Sequence, residues 1–171
     1  QLIEQYDVRS GQGAETIVFT FGNQGEEALK RICPDLPIVQ VSNYIGFMLD
    51  FALELGVKKL IIGGHPGKLA KIAAGVMQTH SKYADGRREA IITQLALMGA
   101  EVELLQKIQS CVTTDAIMVL VHDAGLDTVW NRVAEAAHRY CSARVRGEIS
   151  IDVIVTDTPG NEIGRHMEES T

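Results

Sequence analysis

The chain has 171 residues, 46% hydrophobic and 22% charged, which sets one soluble globular domain rather than two as the starting expectation. Sixteen Lys and Arg against 22 Asp and Glu leave a net charge of −6, the wrong balance for a protein that holds nucleic acid by its phosphates. No apolar run reaches the ~18 residues of a membrane span and no basic stretch leads into an apolar one at the start, so membrane and secreted classes are set aside and a cytoplasmic location is expected.

Thr16-Ile-Val-Phe-Thr-Phe21 is β-branched and aromatic and predicts a strand. Gly22-Asn-Gln-Gly-Glu26 follows as a tight loop, in which Asn23 and Glu26 have the spacing of a capping box for the next helix. That helix should stop by Pro34. A short strand is expected over Ile38-Val-Gln-Val41, closed by Ser42 and Asn43, both good N-caps. Tyr44 to Leu55 is apolar almost all round with Gly56 placed as C′, so this helix is expected to be deeply buried. Leu60-Ile-Ile62 predicts a third strand running into the loop Gly63-Gly-His-Pro-Gly-Lys68, and Leu69, Ile72, Ala73 and Val76 then mark one helical face. Thr79-His-Ser81 interrupts. Helices are expected over Asp85 to Met98, ended by Gly99, over Val102 to Ile108, and from caps at Thr113 or Thr114 to His122. Leu126, Val129, Trp130, Val133, Ala137, Tyr140 and Cys141 form the longest apolar stripe. Ile149, Ile151, Val153 and Val155 alternate as in a strand, before the turn Asp157-Thr-Pro-Gly-Asn161 and a short segment at Ile163 that predicts a C-terminal hairpin.

Strands alternating with helices over short connections predict an α/β fold, a three-layer Rossmann-like domain with a mainly parallel sheet flanked by helices. The expected division is a leading segment over 1–15, the α/β domain over 16–156, and a C-terminal turn and tail over 157–171. Ligands of such sheets bind beyond the carboxyl ends of the strands. That places residues 22–26, 42–43 and 63–68 at the candidate site.

Elimination narrows the chemistry. The Walker pattern needs Gly at 62 and Ser or Thr at 69, where Ile62 and Leu69 stand, and Gly11-Gln-Gly13 precedes a strand rather than following one. What survives around Gly64, Pro66, Gly67 and Lys68 is a loop able to hold an anionic group, against the alternative of a plain β-α turn with Lys68 solvated. His65, His80, His122, His138 and His166 have no metal-ligand spacing, so no protein-bound metal is expected. Ser42 and Ser81 lie in no nucleophile elbow. Cys33, Cys111 and Cys141 are odd in number and widely spaced, and read as free thiols. Between Thr79 and Glu89, Asp85 could cap the next helix, or the Arg87 guanidinium could join Lys68 in recognising carboxylates.

Ser42-Asn-Tyr-Ile-Gly-Phe-Met48, Gly64-His-Pro-Gly-Lys-Leu69 with Lys71-Ile-Ala-Ala-Gly75, and Thr79-His-Ser81 with Ala84, Asp85, Arg87 and Glu89 closely resemble the CbiD family. Gly22-Asn-Gln-Gly-Glu26 and Thr113-Thr-Asp-Ala116 resemble further segments of that family in the same order, whereas Thr156 to Thr171 fits the pattern poorly. The resemblance implies an S-adenosylmethionine-dependent enzyme that methylates C1 of cobalt-precorrin-5B, a cobalt-containing tetrapyrrole, to cobalt-precorrin-6A in anaerobic cobalamin biosynthesis. It also implies that Gln1 begins partway through a longer protein, whose N-terminal half is then a partner; a homo-oligomer is left open.

On this resemblance Gly22, Asn23, Gly25, Ser42 and Asn43 are expected to shape the S-adenosylmethionine pocket. Gly64, Gly67, Lys68, Thr79, His80, Ser81, Asp85 and Arg87 are expected around the tetrapyrrole and its carboxylates. His65 is the candidate acid/base group. The alternative is a non-catalytic scaffold that docks the N-terminal half. A large exposed apolar patch would favour the scaffold, and a polar-lined crevice at the strand ends would favour the enzyme.

Overall fold

The computed structural model describes residues 16–168. In chain order its elements are β1 (Thr16–Thr20), α1 (Gly22–Ile32), β2 (Ile38–Gln40), α2 (Ile45–Glu54), β3 (Lys59–Gly64), α3 (Pro66–Ala73), α4 (Arg87–Leu97), α5 (Val102–Gln109), α6 (Thr114–Asp123), α7 (Val129–Arg144), β4 (Ser150–Thr156) and β5 (Glu162–His166). The strands form one sheet in the order β2-β1-β3-β4-β5, parallel except for β5, which closes the edge as an antiparallel hairpin partner of β4. The α/β class, the mainly parallel sheet and the terminal hairpin therefore stand as the sequence predicts. The leading segment 1–15 lies outside the described residues.

Alternation along each strand divides the core in two. Ile17, Phe19, Val39, Leu60, Ile62, Ile151, Val153 and Val155 join the cluster that includes Leu49 of α2, Leu69 and Ile72 of α3, and Trp130, Val133 and Ala137 of α7. Val18, Ile38, Ile61 and Ile154 point the other way, onto Ala28 and Leu29 of α1. Helices thus cover both faces, and the strands are apolar on both sides, as a parallel sheet requires. Because β1 leads outward to β2 and the chain then returns past β1 to β3, right-handed crossovers place α1 and α2 on opposite faces. The carboxyl ends of β1 and β3 part at that reversal and leave a crevice.

Several local expectations change. Asn23 and Glu26 do not cap α1, whose N-cap is Phe21 without a side-chain bond; both side-chain oxygens instead accept from Gln40 Nε2 at the end of β2. Ser42 and Asn43 do not cap α2 either, because the helix starts later, with Tyr44 as N-cap. Gly63 and Gly64 belong to β3 rather than to a loop, and α3 begins at Pro66, so Gly67 and Lys68 lie in its first turn. A Cβ on Gly63 would meet Leu29 at 2.7 Å and one on Gly64 would meet Phe21 at 2.9 Å, so these glycines let α1 and its entry close onto β3. The burial of α2 is one-sided: Ile45, Met48, Leu49 and Ala52 are buried, but Tyr44 and Phe47 are each 53% exposed. Leu126 precedes α7 rather than opening it.

The hairpin is locked to the helices from both sides. Arg31 Nη2 donates to the Pro159 carbonyl at 3.1 Å, tying α1 to the β4–β5 turn. At Gly164 of β5 an added Cβ would lie 2.7 Å from the Trp130 backbone carbon, so only glycine lets β5 pack on the first turn of α7. Gly164→Ala must displace helix backbone rather than a flexible side chain, and should cost about 1–3 kcal/mol. In urea unfolding the midpoint should fall with an unchanged slope, whereas an unchanged midpoint would show that β5 is not seated against α7.

Candidate functional site at the carboxyl edge of the sheet

A cavity of about 290 Å³ opens at the crevice and is lined by Phe21, Gly22, Gln24, Gly25, Ser42, Asn43, His65, Lys68, Thr156 and Asp157. All four parallel strands contribute, each through the residues at or just after its carboxyl end. The volume sits at the lower end of the roughly 300–1,000 Å³ seen for small-molecule clefts. Two helices, α1 and α3, point their N-termini and the positive ends of their dipoles at it, and in α3 the first backbone N–H groups are held by His65. A Cβ on Gly22, whose φ is +67°, would meet nothing within 4 Å, so the α1 entry leaves this wall open. Ser42 adopts φ +50°, an uncommon conformation for a residue with a side chain, where the chain turns sharply from β2 into the cavity wall.

Asn43 is the junction of the site. Its Oδ1 accepts from Lys68 Nζ at 2.8 Å and from Thr79 Oγ1 at 3.1 Å, and its backbone carbonyl accepts from Thr79 N at 3.1 Å. Burial, and then the charges of Lys71 and Arg87, hold the Lys68 ammonium below the ordinary lysine range. Thr79 is fully buried and reaches the cavity only through Asn43. On the other wall His65 caps α3: Nδ1 accepts from Gly67 N at 3.0 Å, which leaves the ring proton on Nε2 in the neutral form. Nε2 faces Asp115 Oδ1 at 3.1 Å and Thr158 Oγ1 at 3.3 Å, and that hydroxyl donates to the same carboxylate at 3.0 Å. Both ring nitrogens are thus engaged, and in this arrangement neither is turned to a ligand.

The structure brings together Gly22, Gly25, Ser42, Asn43, His65 and Lys68 from the sequence expectation and mixes its two groups, because Lys68 shares one cavity with the glycines and Asn43. Asn23, Gly64, Gly67, Thr79, His80, Ser81, Asp85 and Arg87 are not among the lining residues. His80 Nδ1 accepts from Lys82 N. Gln24 lies in the expected 22–26 loop without an assigned role, and outside the expected loops the cavity adds Phe21, Thr156 and Asp157. For the last two the signal was available: they follow the alternation that ends β4, the position from which any parallel strand feeds its crevice. Among the described residues no group of three His, Cys, Asp or Glu side chains is arranged to hold a metal ion, and no helix is long and apolar enough to cross a membrane.

Arg87 is occupied by a partner of its own. Its Nε and Nη2 donate to the two oxygens of Asp85 at 2.7 and 2.9 Å, and Nη1 reaches Thr114 Oγ1 at 3.4 Å. The hydrogen bonds from Arg87 bring the Asp85 carboxyl down to about 2. A folded-state value below the unfolded one, near 3.9, stabilises the fold above about pH 4, and that contribution fades as pH falls through about 2. The Asp85 side chain is 40% exposed, so the contribution is screened to no more than about 1 kcal/mol. Asp85→Asn should lower the melting temperature by a few degrees at pH 7, with the difference from wild type vanishing by about pH 2. A difference that persists unchanged at pH 2 would show that the ion pair is not its source.

Residues 78–167 match the family description "CbiD, C-terminal domain". Among curated proteins, the chain is 42% identical over 133 residues to the cobalt-precorrin-5B C(1)-methyltransferase of Photorhabdus laumondii, covering 77% of this chain and 35% of that protein. Proteins of the same name from Clostridioides difficile and Methanococcus maripaludis are 34% and 37% identical, over 94% and 96% of this chain but 41% and 46% of their own lengths. The chain therefore spans less than half the length of these relatives. With half of the chain matched by one family description and nearly all of it aligned to relatives of one name, the chain belongs to the CbiD family and carries its C-terminal domain.

Proposed function

We propose that the chain forms part of an S-adenosylmethionine-dependent methyltransferase that acts on C1 of cobalt-precorrin-5B, giving cobalt-precorrin-6A in cobalamin biosynthesis, and that the sheet-edge cavity is its ligand site. The observation that carries the reading is the convergence of the Lys68 ammonium and the N-termini of α1 and α3 on one cavity at the chain reversal. This combination suits a carboxylate, which both the methionine moiety of S-adenosylmethionine and the periphery of the tetrapyrrole carry. Asp157 supplies an acidic residue to the same lining, complementary to a cationic group.

S-adenosylmethionine would supply an electrophilic methyl to a carbon nucleophile in line, the new C–C bond forming as the S–C bond breaks with its electrons left on sulfur, so that S-adenosylhomocysteine is the leaving group. The work left to this chain is binding and orientation, effects that can contribute about 7–11 kcal/mol. Gly22 leaves room for backbone approach, Gly25 lets α1 close onto Thr20, whose Oγ1 an added Cβ would meet at 2.6 Å, Ser42 and Asn43 form the wall at the end of β2, and Lys68 fixes an anionic group. His65, as capping residue of α3, orients that helix N-terminus rather than taking a proton, because both of its nitrogens are engaged. Arg87, paired with Asp85, acts behind the site through its charge on Lys68 and Lys71.

A second reading, a scaffold that docks the rest of a longer protein, draws on the outer face of α2, where Tyr44, Phe47 and Leu55 are exposed and Phe47 stacks on Phe51 with ring centroids 6.3 Å apart. Calorimetric titration with S-adenosylhomocysteine separates the two. The enzyme reading expects saturable binding that Lys68→Ala weakens by about tenfold, the loss of one charge-assisted contact. No binding at millimolar ligand by the folded chain would favour the scaffold.

A further inference from the structure

Lys71 lies on α3 among Leu69, Ala70 and Ile72, is only 5% exposed, and takes no part in the chemistry proposed above. Burying an ammonium is costly unless it is paired, and at this position an apolar side chain would avoid the cost. The carboxylate whose charge acts on it, Asp85, is already held by both arms of the Arg87 fork. Instead Lys71 Nζ donates to the Thr79 carbonyl at 2.7 Å. The segment it grips is clipped on one side to α3, through Val76 N to the Lys71 carbonyl, and on the other to the start of α2, through Gly46 N to the Met77 carbonyl. Thr79 ends that segment fully buried, with its backbone N–H and its hydroxyl both on Asn43.

From these contacts we infer that Lys71 is a positioning residue: its buried ammonium fixes the Thr79 carbonyl, Thr79 fixes Asn43, and Asn43 holds the Lys68 ammonium at the cavity where an anionic ligand group docks. The inference rests on the reading of that cavity as the ligand site. Two features make the relay more than a packing contact. Every link is a hydrogen bond of 2.7–3.1 Å between named atoms, ending on an Oδ1 that accepts from Thr79 and Lys68 together. In addition, the charges of Lys71 and Arg87 both act on Lys68, and Asp85 is paired with Arg87 alone, leaving local positive charge in a chain whose net charge is −6. Such a cluster favours an anion at the one member, Lys68, that lines the cavity. It also acts on Lys68 directly, because the Lys71 charge is among the causes that hold the Lys68 ammonium below the ordinary range.

The test needs no ligand, so its outcome is separate from that of the S-adenosylhomocysteine titration. The chain is prepared with 13Cε-labelled lysine, the Lys68 signal is assigned by its loss in Lys68→Ala, and its chemical shift is followed with pH. In Lys71→Met, which keeps the length of the side chain and removes the charge, the Lys68 titration midpoint should rise. Its Cε shift at neutral pH should move toward those of solvent-exposed lysines. Thr79→Val keeps the side-chain shape and leaves Lys71 in place but removes the hydroxyl on Asn43, and should move the Lys68 Cε shift in the same direction. A Lys68 signal that stays in place in folded Lys71→Met overturns the inference, and so does a midpoint that rises with no change of Cε environment, which would be charge removal alone. If Lys71→Met does not fold, Thr79→Val decides. An unmoved Lys68 in folded Thr79→Val breaks the relay in either case.

Discussion

The constraint on which the rest of the structure depends is the reversal of chain direction at β1. A parallel sheet whose second strand lies outside the first, and whose third lies on the far side, must place its first two crossovers on opposite faces. The carboxyl ends of β1 and β3 are then left uncovered between the diverging helices. All ten residues around the cavity follow from that geometry: the entry to α1, the turn after β2, the entry to α3 and the end of β4. The glycines at 63 and 64 serve it too, since they let Leu29 and Phe21 close down on β3 and keep the α1 N-terminus at the rim.

Within this frame, charge is arranged against the average of the molecule. An acidic chain concentrates Lys68, Lys71 and Arg87 behind one wall of the cavity, neutralises Arg87 with Asp85, buries Lys71 and leaves Lys68 to line the cavity. Methyl transfer to carbon requires no protein nucleophile and no resident metal, and its rate depends on how closely two substrates are held. On the proposed reading, a site built from helix N-termini, one positioned ammonium and a hydrogen-bonded Asn43 would meet that requirement by holding groups still. The His65–Asp115–Thr158 cluster contributes in the same way, by fixing the entry to α3 against the β4–β5 turn.

Much of this was legible in the sequence. Period-two alternation over Ile149–Val155 and the apolar stripe ending at Cys141 located β4 and α7, and the alternation of elements gave the sheet class. Chain order then gave three of the four cavity walls. What the sequence could not show was where polar side chains find partners. Asn23 and Asn43 have good N-cap chemistry, but Gln40, Lys68 and Thr79 reach them from other elements, and those long-range bonds displaced the local ones. Arg87 looked free because its partner Asp85 is two residues away and read equally well as a cap. Lys71 fell into an apolar helical face, and nothing in its spacing marks a buried cation. The exposed side of α2 was invisible for a related reason: an apolar run does not reveal which of its faces has a neighbour.

The central claim, that the carboxyl-edge cavity is where this domain takes its ligand, is tested most directly by an amide NMR shift map of the chain with S-adenosylhomocysteine. The account predicts perturbations concentrated at Gly22, Gln24 and Gly25, at Ser42 and Asn43, and at Gly67, Lys68 and Asp157. Shifts gathered instead along the exposed face of α2, or at the far edge of the sheet along β5 from Ile163 to His166, would contradict it.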